Sequence, residues 1–150
     1  MADTTDTPDT TDTLMRTAPK PLRLYRGLTR SYAAARVQRA SGTDFTDCPF
    51  TALRYAASPK GVVLVLDAPR GSPRVREELW LDTSAKRFMI WGAFDDFILA
   101  ELPAKDLRAH VRCKGVVAAS DDDKAAVLRR AIMEHLRARE ASHREGGAFR

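Results

Sequence analysis

Cysteines and long apolar runs are both scarce in this sequence. Its two cysteines, Cys48 and Cys113, make neither a disulfide framework nor a set of thiolates sufficient for a zinc site. The longest apolar run, residues 61–66, is far shorter than the ~18–20 residues of a membrane span. No basic segment followed by an apolar one opens the chain, so we expect neither a Sec-type signal nor a membrane partner. These absences favour a cytoplasmic protein, with export as an effector through a non-Sec route as the alternative.

Several well-known catalytic motifs are absent as well. The sequence has no P-loop, GxGxxG, HExxH or Gly-x-Ser-x-Gly segment. Its three histidines, His110, His135 and His143, are isolated in the sequence, and we expect them to be solvated surface residues. We therefore expect no metal site, so any chemistry depends on other residue types.

Charge is present but unevenly placed along the 150 residues, whose formal net charge is +5. Residues 1–20 hold four aspartates against two basic residues, and they repeat Asp-Thr-Thr-Asp-Thr with few apolar side chains. This composition predicts a disordered leader over 1–20, followed by one domain over 21–140 and a flexible tail over 141–150. Because the domain carries the positive charge, it is expected to attract polyanions, phosphate-bearing cofactors or acidic partners.

Hydrophobic patterning predicts an α+β fold with a mainly antiparallel sheet, because the element order is not a repeating βαβ pattern. Strands are predicted over 22–27, 43–46, 61–66, 75–81, 87–91, 96–100 and 107–112. Helices are predicted over 31–40, from Asp47 as N-cap to about residue 57, and over 121–139 after Ser120 or Asp121 as N-cap.

Three segments that lie far apart in the sequence form the most informative pattern. Tyr25-Arg26-Gly27 ends the first predicted strand. Residues 42–47 (Gly-Thr-Asp-Phe-Thr-Asp) precede a helix carrying Ala52-Leu53-Arg54-Tyr55-Ala56, which leads into the hydrophobic strand. Asp95-Asp96-Phe97-Ile98-Leu99 comes later, before a Leu-Pro turn and a further predicted strand. In this order the segments resemble the mono-ADP-ribosyltransferase superfamily, toxin-like transferases that move ADP-ribose from NAD.

The resemblance covers roughly residues 22–112, and it implies a split sheet with flanking helices, NAD as cofactor and a protein as acceptor. In that family an arginine on the first strand contacts the NAD phosphate, a Ser/Thr strand lines the nicotinamide pocket, and a carboxylate stabilises the ribosyl cation. Matched to this sequence, these roles fall to Arg26 for phosphate, Thr46 with Thr43 for the Ser/Thr strand, Tyr55 or Phe45 for the pocket, and Asp96 for the carboxylate.

Elementary chemistry accounts for the same residue types. Cleavage of the nicotinamide–ribose bond develops positive charge, which a nearby carboxylate stabilises. A guanidinium fork binds pyrophosphate through two parallel hydrogen bonds. An aromatic ring stacks on the nicotinamide. A binding site for NAD therefore needs one residue of each kind around one cleft.

This chain departs from the family pattern at two places. The family usually has glutamate as the carboxylate, and this chain offers Asp96, with Glu101 as the alternative if the strand register is shifted. Thr-Asp-Phe-Thr stands in place of Ser-Thr-Ser, so Asp44 adds negative charge near an anionic cofactor. Either the site tolerates these changes or the fold has lost its activity.

Two other functions fit the same sequence. A non-catalytic protein-interaction module on the same or a similar fold would use the basic body, with Trp80 and Trp91 if both are exposed on one face. A nucleic-acid-binding domain would use the cations of the last helix, Lys124, Arg129, Arg130, Arg137 and Arg139. Core packing is the default expectation for the tryptophans, and a docked helix with a solvated face accounts equally well for the cations.

Overall fold

The computed structural model describes residues 20–34, 43–79, 85–112 and 120–148. Within these ranges the strands are β1 (Leu22–Leu28), β2 (Thr43–Thr46), β3 (Val62–Ala68), β4 (Val75–Leu79), β5 (Lys86–Ile90) and β6 (Ile98–Pro103). The α-helices are α1 (Pro49–Tyr55), α2 (Ala104–Val111) and α3 (Asp121–Ala148), and a 3₁₀ turn spans Asp95–Phe97.

The six strands form one antiparallel sheet in the order β4-β5-β2-β1-β3-β6. β1 pairs with β3 along its whole length, from Leu22↔Ala68 to Leu28↔Val62. The predicted α+β class with an antiparallel sheet is therefore confirmed. In the part of the chain that the structure describes, no helix is long and apolar enough to cross a membrane.

β3 lies inside the sheet and is covered on both faces. Residues 63–66 of this strand are fully buried, as their continuous apolar run predicts for a strand without a solvated face. One face of the sheet, which includes Tyr25, packs against all three helices. The other face, which includes Leu24, packs with the rings of Phe45 and Phe94.

α3 begins where the sequence predicts and docks through a helical stripe. The Ser120 hydroxyl accepts a hydrogen bond from the Asp123 backbone N–H (3.2 Å), which satisfies one of the free donors of the first turn. Ala125, Leu128 and Ile132 recur on one face and are buried, and Leu128 and Ile132 pack against the sheet and the other two helices. The periodicity of this segment therefore identifies the docked face correctly.

The C-terminal end of α3 differs from the prediction. The helix was expected to end at Arg139, but it continues to Ala148, through residues that the sequence assigned to a tail. No glycine or proline stands between Arg139 and Gly146, so nothing in this stretch opposes helix propagation.

One predicted strand, 107–112, is wrong, because Leu107 and Val111 belong to α2. The alternation Leu107, Ala109, Val111 is compatible with a strand, but Leu107 and Val111 are also four residues apart, as on one helix face. Both are buried while Ala109 is exposed. Pro103, whose fixed φ suits the entry to a helix, stands at the N-cap.

Two further boundaries need correction. Asp47 was predicted to cap α1, but the N-cap residue is Cys48, and no side chain caps the helix. The Asp47 carboxylate instead accepts the backbone N–H of Lys86 (3.0 Å), which joins it to β5. The strand predicted over 96–100 begins only at Ile98, after the 3₁₀ turn.

Some of the predicted elements and residues lie outside the described ranges. Residues 32–34 form a turn, in which the Ser31 hydroxyl accepts the N–H of Ala34 (3.2 Å). The rest of the helix predicted over 31–40 lies outside the described residues, as do Trp80, Cys113 and most of the leader.

Candidate functional site

A cavity of about 560 Å³ lies between α1 and the strands β1 and β2. Its walls come from β1 and the turn after it, from β2, from α1 and from Arg87 of β5. The volume lies within the ~300–1,000 Å³ that is ordinary for small-molecule sites. Four of the five residues predicted to contact the cofactor line this cavity, namely Arg26, Phe45, Thr46 and Tyr55. They come from β1 and from the consecutive elements β2 and α1.

The cavity lies where β1 and β2 separate. In the described ranges the register of these two strands rests on one pair, Tyr25↔Thr46, whereas β1 and β3 are paired throughout. α1 covers the gap at close range, because a Cβ on Gly27 would overlap the backbone oxygen of Ala52. Because position 27 has no side chain, α1 can pack directly against the backbone of β1 beside the cavity.

Arg26 extends from β1 to β2 at the gap between the two strands. Its Nη1 donates a hydrogen bond to the backbone carbonyl oxygen of Asp44 (2.8 Å). Burial lowers the pKa of the Arg26 guanidinium, and the Asp44 carboxylate partly opposes this shift. The hydrogen-bond partner of Arg26 is a neutral carbonyl, and the Asp44 carboxylate acts on the guanidinium only through space. A half-buried guanidinium of this kind is suited to an anionic ligand.

Asp44 was expected to disfavour an anionic cofactor, but its carboxylate is paired with Arg87. Arg87 Nη2 lies 2.9 Å from Oδ1 and 3.0 Å from Oδ2 of Asp44. Among the residues that line the cavity there are thus two guanidinium groups, Arg26 and Arg87, for one carboxylate. The cavity lining is therefore net positive.

Sequence reasoning missed Arg87. The residue belongs to β5, and its place opposite Thr46 depends on the antiparallel pairing of β5 with β2. No motif marks that pairing, since the two strands are about 40 positions apart. The alternation of β5 would assign Arg87 to one face of a strand, but not to a cavity.

The other three predicted lining residues differ in what they can offer a ligand. The Thr46 hydroxyl accepts the backbone N–H of Cys48 (3.2 Å) and keeps its own proton for donation. Tyr55, the last residue of α1, is 60% exposed, so its ring is accessible for stacking. Phe45 is buried, with its ring edge-to-face on Phe94 at 5.1 Å, and it forms a fixed wall.

The remaining two predicted site residues are not among those that line the cavity. Thr43 is buried at the start of β2, opposite Ile90 of β5. Asp96 is exposed in the 3₁₀ turn that precedes β6. The structure therefore gathers the predicted phosphate, hydroxyl and aromatic residues but leaves the predicted carboxylate elsewhere.

Glu101 occupies a different position relative to Arg26. Leu64 on β3 is in register with Arg26 on one side and with Glu101 on the other. These residues therefore lie on the same face of the sheet, with their backbones about 10 Å apart across two strand spacings. Glu101 Oε2 also accepts the backbone N–H of Tyr32 (3.3 Å), in the segment that follows β1. Glu101 itself is not among the cavity-lining residues.

Two of the cations proposed for nucleic-acid binding contact the domain itself. Arg129 Nη2 donates to the backbone oxygen of Asp47 (3.0 Å), and Arg139 Nη1 donates to that of Leu99 (2.9 Å). These hydrogen bonds hold α3 against the strands and the entry to α1. They give both arginines a structural role that does not require a polyanion.

The other predicted features are resolved in part. Trp91 is 40% exposed, and its backbone oxygen accepts a hydrogen bond from Arg74 Nε (2.9 Å). His110 and His135 are both exposed. Among the residues that the structure describes, no group of three His, Cys, Asp or Glu side chains could hold a metal ion.

No family model matches the chain, and neither a curated protein nor a solved structure matches it. The case for a function therefore rests on the residues around the cavity.

Proposed function

We propose that this chain is an ADP-ribosyltransferase-like domain that binds NAD in the cavity between α1, β1 and β2 and transfers ADP-ribose to a protein. One observation carries the proposal: Arg26, Phe45, Thr46 and Tyr55 line a single cavity of about 560 Å³. They were selected from the sequence for separate roles toward one dinucleotide, and Arg26 comes from a strand about 20 positions before Phe45 and Thr46.

The charge of the cavity supports an anionic ligand. Asp44 is neutralised by Arg87, while the guanidinium of Arg26 bonds to a carbonyl and keeps its charge. A planar guanidinium presents parallel donors that match two phosphate oxygens. In the proposal Arg26 binds the pyrophosphate of NAD.

The same cavity contains aromatic and hydroxyl groups that are suited to the nicotinamide ring. The accessible ring of Tyr55 offers a stacking surface, and the fixed ring of Phe45 forms an apolar wall. The Thr46 hydroxyl is a donor for the carboxamide oxygen. The two aromatic rings thus suit the planar end of a ligand whose charged part is bound by Arg26.

Transfer of ADP-ribose requires a carboxylate near the ribose carbon that develops positive charge. The register places Glu101 in line with Arg26 through Leu64, on the face of the sheet opposite to Tyr25 and α1. Asp96 precedes Ile98, which is paired with Leu66, two residues further along β3 from Leu64. In the proposal Glu101 is the carboxylate, because it is aligned with Arg26 and is a glutamate, as in the family that the sequence resembles.

The alternative is a domain that binds the nucleotide, or a protein partner, without catalysis. The specific observation in its favour is that neither Asp96 nor Glu101 lines the cavity. Under this alternative the domain forms complexes but releases no nicotinamide from NAD.

Isothermal titration of the full chain with NAD tests the binding proposal. The wild type is expected to bind one equivalent, and Arg26→Ala is expected to weaken affinity by about tenfold or more, the effect of losing a charge-assisted hydrogen bond. Arg70→Ala is the matched control, because Arg70 is exposed and its Nε donates a hydrogen bond to the backbone oxygen of Lys20, outside the cavity. Circular dichroism verifies that both variants are folded. Absence of NAD binding by the wild type, or unchanged affinity in Arg26→Ala, contradicts the proposal.

A further inference from the structure

Asp44 contacts both guanidinium groups of the cavity. Its backbone oxygen accepts from Arg26 Nη1, and its carboxylate accepts from Arg87 Nε (3.1 Å) and Nη2 (2.9 and 3.0 Å). The two guanidinium groups are therefore linked through one residue, at a separation of no more than that residue's span and two hydrogen bonds of 2.8 and 2.9 Å. Both line the same cavity, as a ligand with two linked phosphates requires.

The pair between Asp44 and Arg87 is open to exchange. The two side chains retain 46% and 36% of their exposure, so a dissolved anion can reach the guanidinium. Half-exposed ion pairs contribute little to stability, so replacement of the carboxylate by a phosphate costs little free energy. Glu78 on β4 lies 3.7 Å from Arg87 Nε and would keep the guanidinium in place after Asp44 leaves.

A carboxylate and a phosphate use the same donors of a guanidinium. Both present two oxygens to the parallel N–H groups of the fork, so they compete for one position. In the structure the Asp44 carboxylate occupies that position on Arg87. It stands where the anionic group of a ligand in the cavity would bind.

We propose that Arg87 is a second phosphate subsite, and that the Asp44 carboxylate competes with the ligand phosphate for it. The ligand class is a nucleoside diphosphate, with one phosphate on Arg26 and the other displacing Asp44 from Arg87. The displaced carboxylate turns toward solvent while Glu78 retains its contact. The inference rests on the proposed nucleotide function and specifies the part of the nucleotide that the cavity selects.

Titration calorimetry with ADP and AMP as probes tests this competition. Asp44→Asn removes the negative charge that competes for Arg87 without changing the size of the side chain, so ADP should bind about tenfold more tightly than to the wild type. AMP, which contacts Arg26 alone, should gain less than ADP, because the Asp44 carboxylate acts on Arg26 only through space. Unchanged or weaker ADP binding in Asp44→Asn would overturn the proposal.

Arg87→Gln gives a second test that does not depend on the Asp44 variant. The wild type should prefer ADP over AMP, and Arg87→Gln should lose that preference. In the Arg87→Gln background, Asp44→Asn should have no further effect on ADP affinity, because the competition has been removed. Retention of the ADP preference in Arg87→Gln would contradict the assignment of Arg87 as a phosphate subsite.

The outcomes separate this inference from the proposed function. If ADP binds with the expected Arg87 dependence but NAD does not bind, the diphosphate subsite stands and the transferase proposal fails. If NAD binds through Arg26 and Arg87→Gln leaves the ADP preference intact, the transferase proposal stands and the competitor role fails.

Discussion

Gly27 on β1 lies so close to the backbone oxygen of Ala52 on α1 that a Cβ at position 27 would overlap it. The same Cβ would also contact the backbone nitrogen of Ala56 at 2.9 Å. Both neighbours are backbone atoms, which cannot turn aside as a flexible side chain can. The cavity next to Gly27 therefore depends on this residue having no side chain.

Gly27→Ala is expected to lower the free energy of unfolding by roughly 1–3 kcal/mol, because β1 or α1 must move. Urea denaturation followed by circular dichroism measures the change, and titration with NAD measures the effect on the cavity. Gly71→Ala serves as the control: its Cβ would meet nothing within 4 Å, although its φ of +86° adds backbone strain. NAD affinity should fall only in Gly27→Ala, and equal affinity in both variants would contradict the role given to this contact.

The docking of α3 makes a second prediction. Ile132 is 1% exposed in the cluster that joins the helices to the sheet, whereas its neighbour Met133 is 45% exposed. Ile132→Ala should lower the free energy of unfolding by about 2–5 kcal/mol, because it leaves a cavity in the core. Met133→Ala, measured by the same urea denaturation, should change it by less than about 0.5 kcal/mol. Similar losses in the two variants would show that α3 does not dock through this face.

Tyr25 makes a prediction about pH. Burial raises the pKa of its phenol above the ordinary value near 10, although Arg129 and Arg23 partly lower it. As the pH rises through about 10 the unfolded chain loses this proton first, which favours unfolding. The stabilisation by the neutral phenol is therefore present below pH 10 and is lost as the pH rises through the folded-state pKa.

Ultraviolet titration of the phenolate band measures this shift. Tyr25→Phe should remove the phenol whose pKa is raised by burial, and the fall in stability above pH 10 should become smaller. An alkaline titration that differs between the wild type and Tyr25→Phe only by one phenol of ordinary pKa would contradict this prediction.

The choice of carboxylate makes a prediction about turnover. With labelled NAD and a protein acceptor from lysate, Glu101→Gln should slow release of nicotinamide by roughly 10²-fold, because a charge that stabilises the transition state is lost. Asp96→Asn should remain within about twofold of the wild type, since Asp96 is exposed in the 3₁₀ turn before β6 and is not aligned with Arg26. Both variants should keep the NAD affinity of the wild type. The reverse pattern would return the carboxylate role to Asp96.

Local pattern is enough to predict part of this fold. The run at 63–66 predicts a strand buried on both faces, and the spacing of Leu128 and Ile132 predicts the docked face of α3. Both signals arise from residues that are neighbours in the sequence. Between Leu107 and Val111 the same kind of signal fails, because so short a segment fits both a strand and a helix.

The candidate site is less predictable because it depends on pairing across the sheet. Arg26 and Thr46 are recognisable by residue type and order along the chain, and they line one cavity. Arg87 and Glu101 acquire their positions only from the registers of β5 with β2 and of β6 with β3. A shift of one residue in either register would move these side chains to the other face of the sheet.

The position of NAD in a crystal structure of the complex tests the central claim most directly. The account predicts a dinucleotide in the cavity between α1, β1 and β2, with its pyrophosphate at the guanidinium of Arg26 and its nicotinamide ring against Tyr55. Electron density for NAD at another surface, or a cavity without ligand density in crystals grown with saturating NAD, would contradict it.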